Sequence, residues 1–127
     1  MPNSIVSMAL AAALAVTAGA ASAHPILRSS SPPANGLPGS SPLKVPPNAV
    51  VLVFSEAIVA PFSGVTLTDD HGRSAATGKA ATTFADAERL VIPLVGTLTP
   101  GRYRVDWHAV ARDTHRVTGQ FAFTVAK

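Results

Sequence analysis

Alternation of apolar and polar positions, with turn signals between, organises this chain from about residue 47 onward. Val50 to Phe54 is an unbroken apolar run, the mark of a strand expected to be buried on both faces. Val65 to Thr68 alternates and then meets Asp69-Asp70-His71-Gly72, a hairpin-turn signal. Thr82–Phe84 and Arg89–Pro93 are further strand candidates, and Leu98-Thr99-Pro100-Gly101 is a turn. Tyr103, Val105 and Trp107 share one face of an extended segment, with Arg104, Asp106 and His108 on the other. Phe121, Phe123 and Val125 repeat the pattern near the end. Nothing after residue 23 has a sustained helical period. Many short strands with frequent turns predict an all-β domain, a small antiparallel sandwich or barrel.

Upstream the texture changes twice. Pro25 to Pro47 is rich in Pro, Ser, Gly and Asn and is incompatible with helix. Two readings stand: a loose leader, or an edge strand and loop anchored by Ile26 and Leu27. Before it, Ser4 to Ala23 carries no charge and ends in Ala21-Ser22-Ala23, the small-x-small pattern of a signal-peptidase site. Its apolar core, Ile5 to Val16, falls short of the roughly 20 residues needed to span a bilayer. No Lys or Arg precedes it, so the basic start of a signal peptide is reduced to the amino terminus. The expected organisation is a signal peptide, 1–23, cleaved after Ala23, and one domain, 24–127. Roughly one hundred residues suit one domain, not two.

Composition narrows the chemistry. All charged side chains lie after residue 23, and the net charge of +3 is spread along that part. There is no run of like charges and no basic stripe interleaved with aromatics, so nucleic acid is not an expected partner. There is no cysteine, and both methionines, Met1 and Met8, precede the cleavage pattern. The exported part thus has no sulfur ligand. The nucleophile-elbow, phosphate-loop and zinc-protease motifs are missing, and the expectation is a binding protein, not an enzyme.

The four histidines carry the rest. His24 becomes the first residue after cleavage. Its α-amine and imidazole Nδ1 can then close a six-membered chelate ring on one ion, and an amine with a pKa of about 8 yields its proton to a metal near neutral pH. Pro25 has no amide N–H, so the backbone mode by which Cu(II) often binds peptide termini is barred. Asp113-Thr114-His115 is the second element. In an extended segment residues two apart point the same way, which would converge Asp113 and His115. The competing reading is a polar turn whose Asp caps its own backbone. An amine, two imidazoles and a carboxylate form a tetragonal N3O set suited to one Cu(II) ion, whereas Cu(I) prefers sulfur. His71 reads as a solvated turn residue. His108 faces away from Trp107, either as a surface group or as a neighbour approaching the metal from the side.

These residues resemble a known family. Tyr103 to Gly119, continued by Phe121 to Val125, is similar to the C-terminal signature of the CopC family of exported copper-resistance proteins. Phe54-Ser55-Glu56-Ala57 with Pro61-Phe62-Ser63-Gly64 resembles its central motif, and His24 with Ser30 to Gly36 its mature start. The resemblance implies a Greek-key barrel or sandwich of about seven strands, cupredoxin-like or immunoglobulin-like. It implies a Cu(II) site of His24, Asp113 and His115, with Glu56 at or just outside it. It also implies a periplasmic, or secreted, monomer serving copper resistance or homeostasis, with an inner-membrane copper transporter as partner. Two departures matter. Ile26 stands where many members have a second His, and the part after Ala23 lacks the methionines of a Cu(I) site. That looks like a Cu(II)-only branch. Two other classes remain in view: a copper oxidase resembling polysaccharide monooxygenases, with an N-terminal His chelate, and an immunoglobulin-like adhesion module with no metal role.

Overall fold

A computed structural model describes residues 24–127. The expected signal peptide, 1–23, lies outside the described residues. Among the described residues seven strands are present: β1 (Leu27–Ser31), β2 (Ala49–Phe54), β3 (Gly64–Asp69), β4 (Ser74–Ala75), β5 (Arg89–Pro93), β6 (Gly101–Val110) and β7 (Arg116–Val125). A single 3₁₀ turn, Ala60–Phe62, precedes β3. The strands form two antiparallel sheets, one ordered β1-β2-β5 and the other β4-β3-β6-β7. The sheets do not close into a barrel, so the sandwich alternative is the one realised.

The inner faces follow the sequence alternation. Val50, Leu52 and Phe54 of β2 meet Leu90 and Ile92 of β5 on one side, and Leu67, Tyr103, Val105, Ala109, Phe123 and Val125 of the other sheet across the core. Burying a side chain such as Leu52, fully enclosed, contributes about 1.5–3 kcal/mol. The apolar run of β2 differs from the expectation. Its burial alternates, with Ala49, Val51 and Val53 only half-buried, because nothing layers the outer face of a two-sheet fold. Thr82–Phe84 is not a strand. Only Ala81 bridges, to Val91, and Phe84 is fully exposed. One Thr-Thr-Phe triplet before Ala85-Asp86 is too short to hold a ladder.

The Pro/Ser-rich stretch resolves as the edge-strand reading. Leu27 pairs with Phe54 and Ser31 with Val51, with a register shift between Leu27 and Ser29. The loop after β1 then lies along β7: Asn35 N–H donates to the Ala122 carbonyl at 2.7 Å, and Leu43 bridges Val125. This loop therefore joins the β1 edge of one sheet to the β7 edge of the other. At one end of that seam lie residue 24 and the β6–β7 hairpin.

Candidate metal centre

The hairpin is built by the Asp-Thr-His sequence itself. Ala111 N–H donates to the His115 carbonyl at 3.1 Å, and Thr114 N–H to the Ala111 carbonyl at 3.0 Å. Thr114 has φ 72°, the left-handed region that a β-branched residue rarely enters. Asp113 accepts the His115 backbone N–H on Oδ1 at 3.1 Å, a local cap that offsets the strained turn. Asp113 and His115 thus do converge, but by a reversal of the chain. Strand alternation, the expected cause, does not operate here, since Ala111–Thr114 interrupts the ladder between β6 and β7.

The same carboxylate takes the ring. His115 Nδ1–H donates to Asp113 Oδ2 at 2.8 Å. An ionised carboxylate can only accept, so Nδ1 carries the shared proton and Nε2 is the nitrogen left outside this bond. Carboxylate–histidine pairs of this kind fix the tautomer and raise the basicity of a metal ligand. The Asp113 carboxyl is held below the usual carboxylate range, first by the His115 ring, then by the His115 backbone N–H, with smaller help from the positive charge His115 and His24 can carry.

His24 comes from the opposite sheet. Its ring centroid stands 4.7 Å from that of His115, with the planes inclined at 51°. Imidazoles that share one ion, each with a metal–nitrogen bond of about 2.0–2.1 Å, need to stand about this close. Pro25 behind it is buried. Ile26 N–H donates to Ser55 Oγ at 2.8 Å, and Ser55 N–H returns a bond to the Ile26 carbonyl at 2.8 Å. The arm carrying His24 is therefore pinned one residue beyond Pro25. Sequence reasoning singled out Glu56 in this motif and missed Ser55.

The three residues form a chain, from His24 to His115 to Asp113. Among the described residues no three His, Asp or Glu side chains already surround a common point. All three residues are exposed. The donors present, two imidazoles and a carboxylate with unused lone pairs, fit a borderline divalent ion.

The remaining candidates stand apart. Glu56 makes no hydrogen bond or ion pair with the trio among the described residues. His108 lies on the outer face of its sheet, opposite Gly64 and Thr118. It lines a shallow cleft of about 360 Å³ with Thr66, Asp106, Arg116 and Thr118. Burial pushes its imidazole below the usual value, and the neighbouring Arg116 charge adds to the effect. His71 sits in its exposed turn, its N–H donating to Asp69 Oδ1 at 2.9 Å. Trp107 keeps the parity of Tyr103 and Val105 and meets Phe54 edge-on, centroids 5.4 Å apart.

Comparison with known proteins agrees over nearly the whole described region. Residues 27–126 match the CopC domain. Copper resistance protein C of Pseudomonas syringae pv. tomato is 41% identical over 112 residues, covering 83% of this chain and 82% of that protein. Protein YobA of Escherichia coli K12 is 38% identical over 79 residues, which is 62% of this chain and 64% of YobA, under two thirds of its length. Among solved structures, PcoC, a methionine rich copper resistance protein from Escherichia coli, superposes with a TM-score of 0.66 at 39% identity, over 81% of this chain and 99% of PcoC. CopC from Methylosinus trichosporium OB3b gives a TM-score of 0.71 at 24% identity, over 81% of this chain and 94% of that one, and shares the fold.

Proposed function

Because this chain belongs to the CopC family, we propose that it is an exported protein that holds one Cu(II) ion with His24, Asp113 and His115. The observation that carries this reading is the 4.7 Å approach of the His24 and His115 rings, brought from two different sheets, with Asp113 bound to the second ring.

Each residue has a task that follows from its position. Cleavage after Ala23 gives His24 a free α-amine, which with its imidazole supplies two nitrogens from one residue. His115 supplies a third from Nε2, the nitrogen left bare by the bond to Asp113. Asp113 keeps the Nδ1 proton in place, and its spare lone pairs offer an oxygen donor. Copper leads the divalent series in affinity for such N/O sites. The relative PcoC is described as methionine rich, whereas this chain has no Met after Met8. That contrast favours Cu(II) over Cu(I) as cargo. The protein acts as a monomeric periplasmic carrier in copper resistance or homeostasis, binding copper without catalysis and presenting it to an inner-membrane copper transporter.

The test is a Cu(II) titration of protein beginning at His24, against a competing chelator. One equivalent binds tightly. A single Gly placed ahead of His24 removes the chelate ring and weakens binding at least tenfold. Equal affinity in the two proteins would sink the N-terminal site.

A further inference from the structure

An N-terminal residue is the hardest ligand for a protein to hold still. It has a chain on one side only, and ordering a free residue costs about 1–2 kcal/mol in backbone entropy alone. In this fold the cost is met before any metal arrives, and the means is visible. Ile26 is 63% exposed, so apolar burial does not fix it. What fixes it is the reciprocal pair with Ser55: N–H to Oγ at 2.8 Å and carbonyl to Ser55 N–H at 2.8 Å. Ser55 is itself a firm post. It follows Phe54, which is wholly buried and whose N–H donates to the Glu88 carbonyl at 2.9 Å. Between this clamp and His24 stands only Pro25, buried and with its φ locked by its ring. Little freedom is left for the arm to swing away from His115.

We infer that Ser55 is the positioning residue of the copper site, setting the place of His24 through Ile26 without touching the metal. This rests on the copper reading above. It assigns the working part of the Phe54-Ser55-Glu56 motif to the hydroxyl of Ser55 and not to the carboxylate of Glu56. Outer partners that orient metal ligands typically change affinity by about 10–100-fold, and preorganisation acts in the same direction.

Ser55→Ala removes the Oγ acceptor but keeps the backbone bond from Ser55 N–H, so the sheet survives. Ser55→Thr keeps the hydroxyl. Two readouts separate the possibilities, both on protein beginning at His24. The first needs no copper. By NMR, the wild type and Ser55→Thr show contact between the His24 and His115 rings and slow exchange of the Ile26 amide. Ser55→Ala loses the ring contact and exchanges faster. The second is Cu(II) affinity, which falls about tenfold in Ser55→Ala and recovers in Ser55→Thr. Unchanged ring contact in Ser55→Ala would overturn the inference, as would unchanged Cu(II) affinity in that variant. Failure of the wild type to bind Cu(II) would instead refute the copper reading, and the metal-free ring contact would still decide the role of Ser55.

Discussion

Asp113 gives both carboxylate oxygens to one residue, taking the backbone of His115 on one and its ring on the other. One side chain therefore shapes the hairpin and holds the ring, so the capping reading of Asp-Thr-His holds, and the half-site reading is the one carried into the proposed function. His108 shows a different use of the same residue type. Its imidazole is shifted down, mainly by burial, so the folded protein favours the neutral form. A folded-state value below the unfolded one, near 6.5, means that the unfolded chain binds the proton more readily. Stability is then full above about pH 6.5 and declines as the pH falls toward the folded value. Thermal unfolding of metal-free protein between pH 7.5 and 5 should show this slope, and His108→Asn should reduce it. The proposed copper ligands were legible in the sequence because one of the four histidines follows a cleavage pattern and another stands in the Asp-Thr-His motif. Ser55 was not. It acts through the backbone of a residue 29 positions away, and no local pattern marks such a pairing.

At the scale of elements, alternation located β3, β5, β6 and β7, since each has one face in the core and one in water. It misjudged β2. An unbroken apolar run gives no parity of its own, and only the two-sheet architecture shows that Val51 and Val53 lie on an uncovered face. The two-residue β4 had no alternation of its own, and only the hairpin-turn signal at Asp69–Gly72 pointed to it. Close packing inside the β6–β7 hairpin was equally hidden. Trp107 lies directly opposite Gly119, and a Cβ on Gly119 would come within 2.4 Å of Trp107 Cζ2. The glycine is there because the indole ring lies flat across it and reaches Phe54. Gly119→Val should push the ring out, destabilise the fold by about 1–3 kcal/mol and shift Trp107 emission to the red. Chemical denaturation followed by that emission measures both effects.

On the scale of the whole molecule, the site joins two sheets. His24 precedes β1 of one, while Asp113 and His115 open β7 of the other, and away from the site the seam is closed by the loop after β1. An ion held there ties together two elements that are otherwise in contact mainly through that loop. Copper should therefore stabilise the fold by linkage, about 2.7 kcal/mol when free copper is a hundredfold above Kd. For a domain of this size that is a rise in Tm of roughly 10–20 °C, visible by calorimetry and cut by about half or more in the Gly-extended protein at the same free copper. The same placement governs timing. A chain made and threaded from its N-terminus delivers the His24 half of the site first and the Asp113–His115 half almost last. On the proposed function, no fragment in transit could assemble the pair, and copper loading would report that the final hairpin has been made and closed.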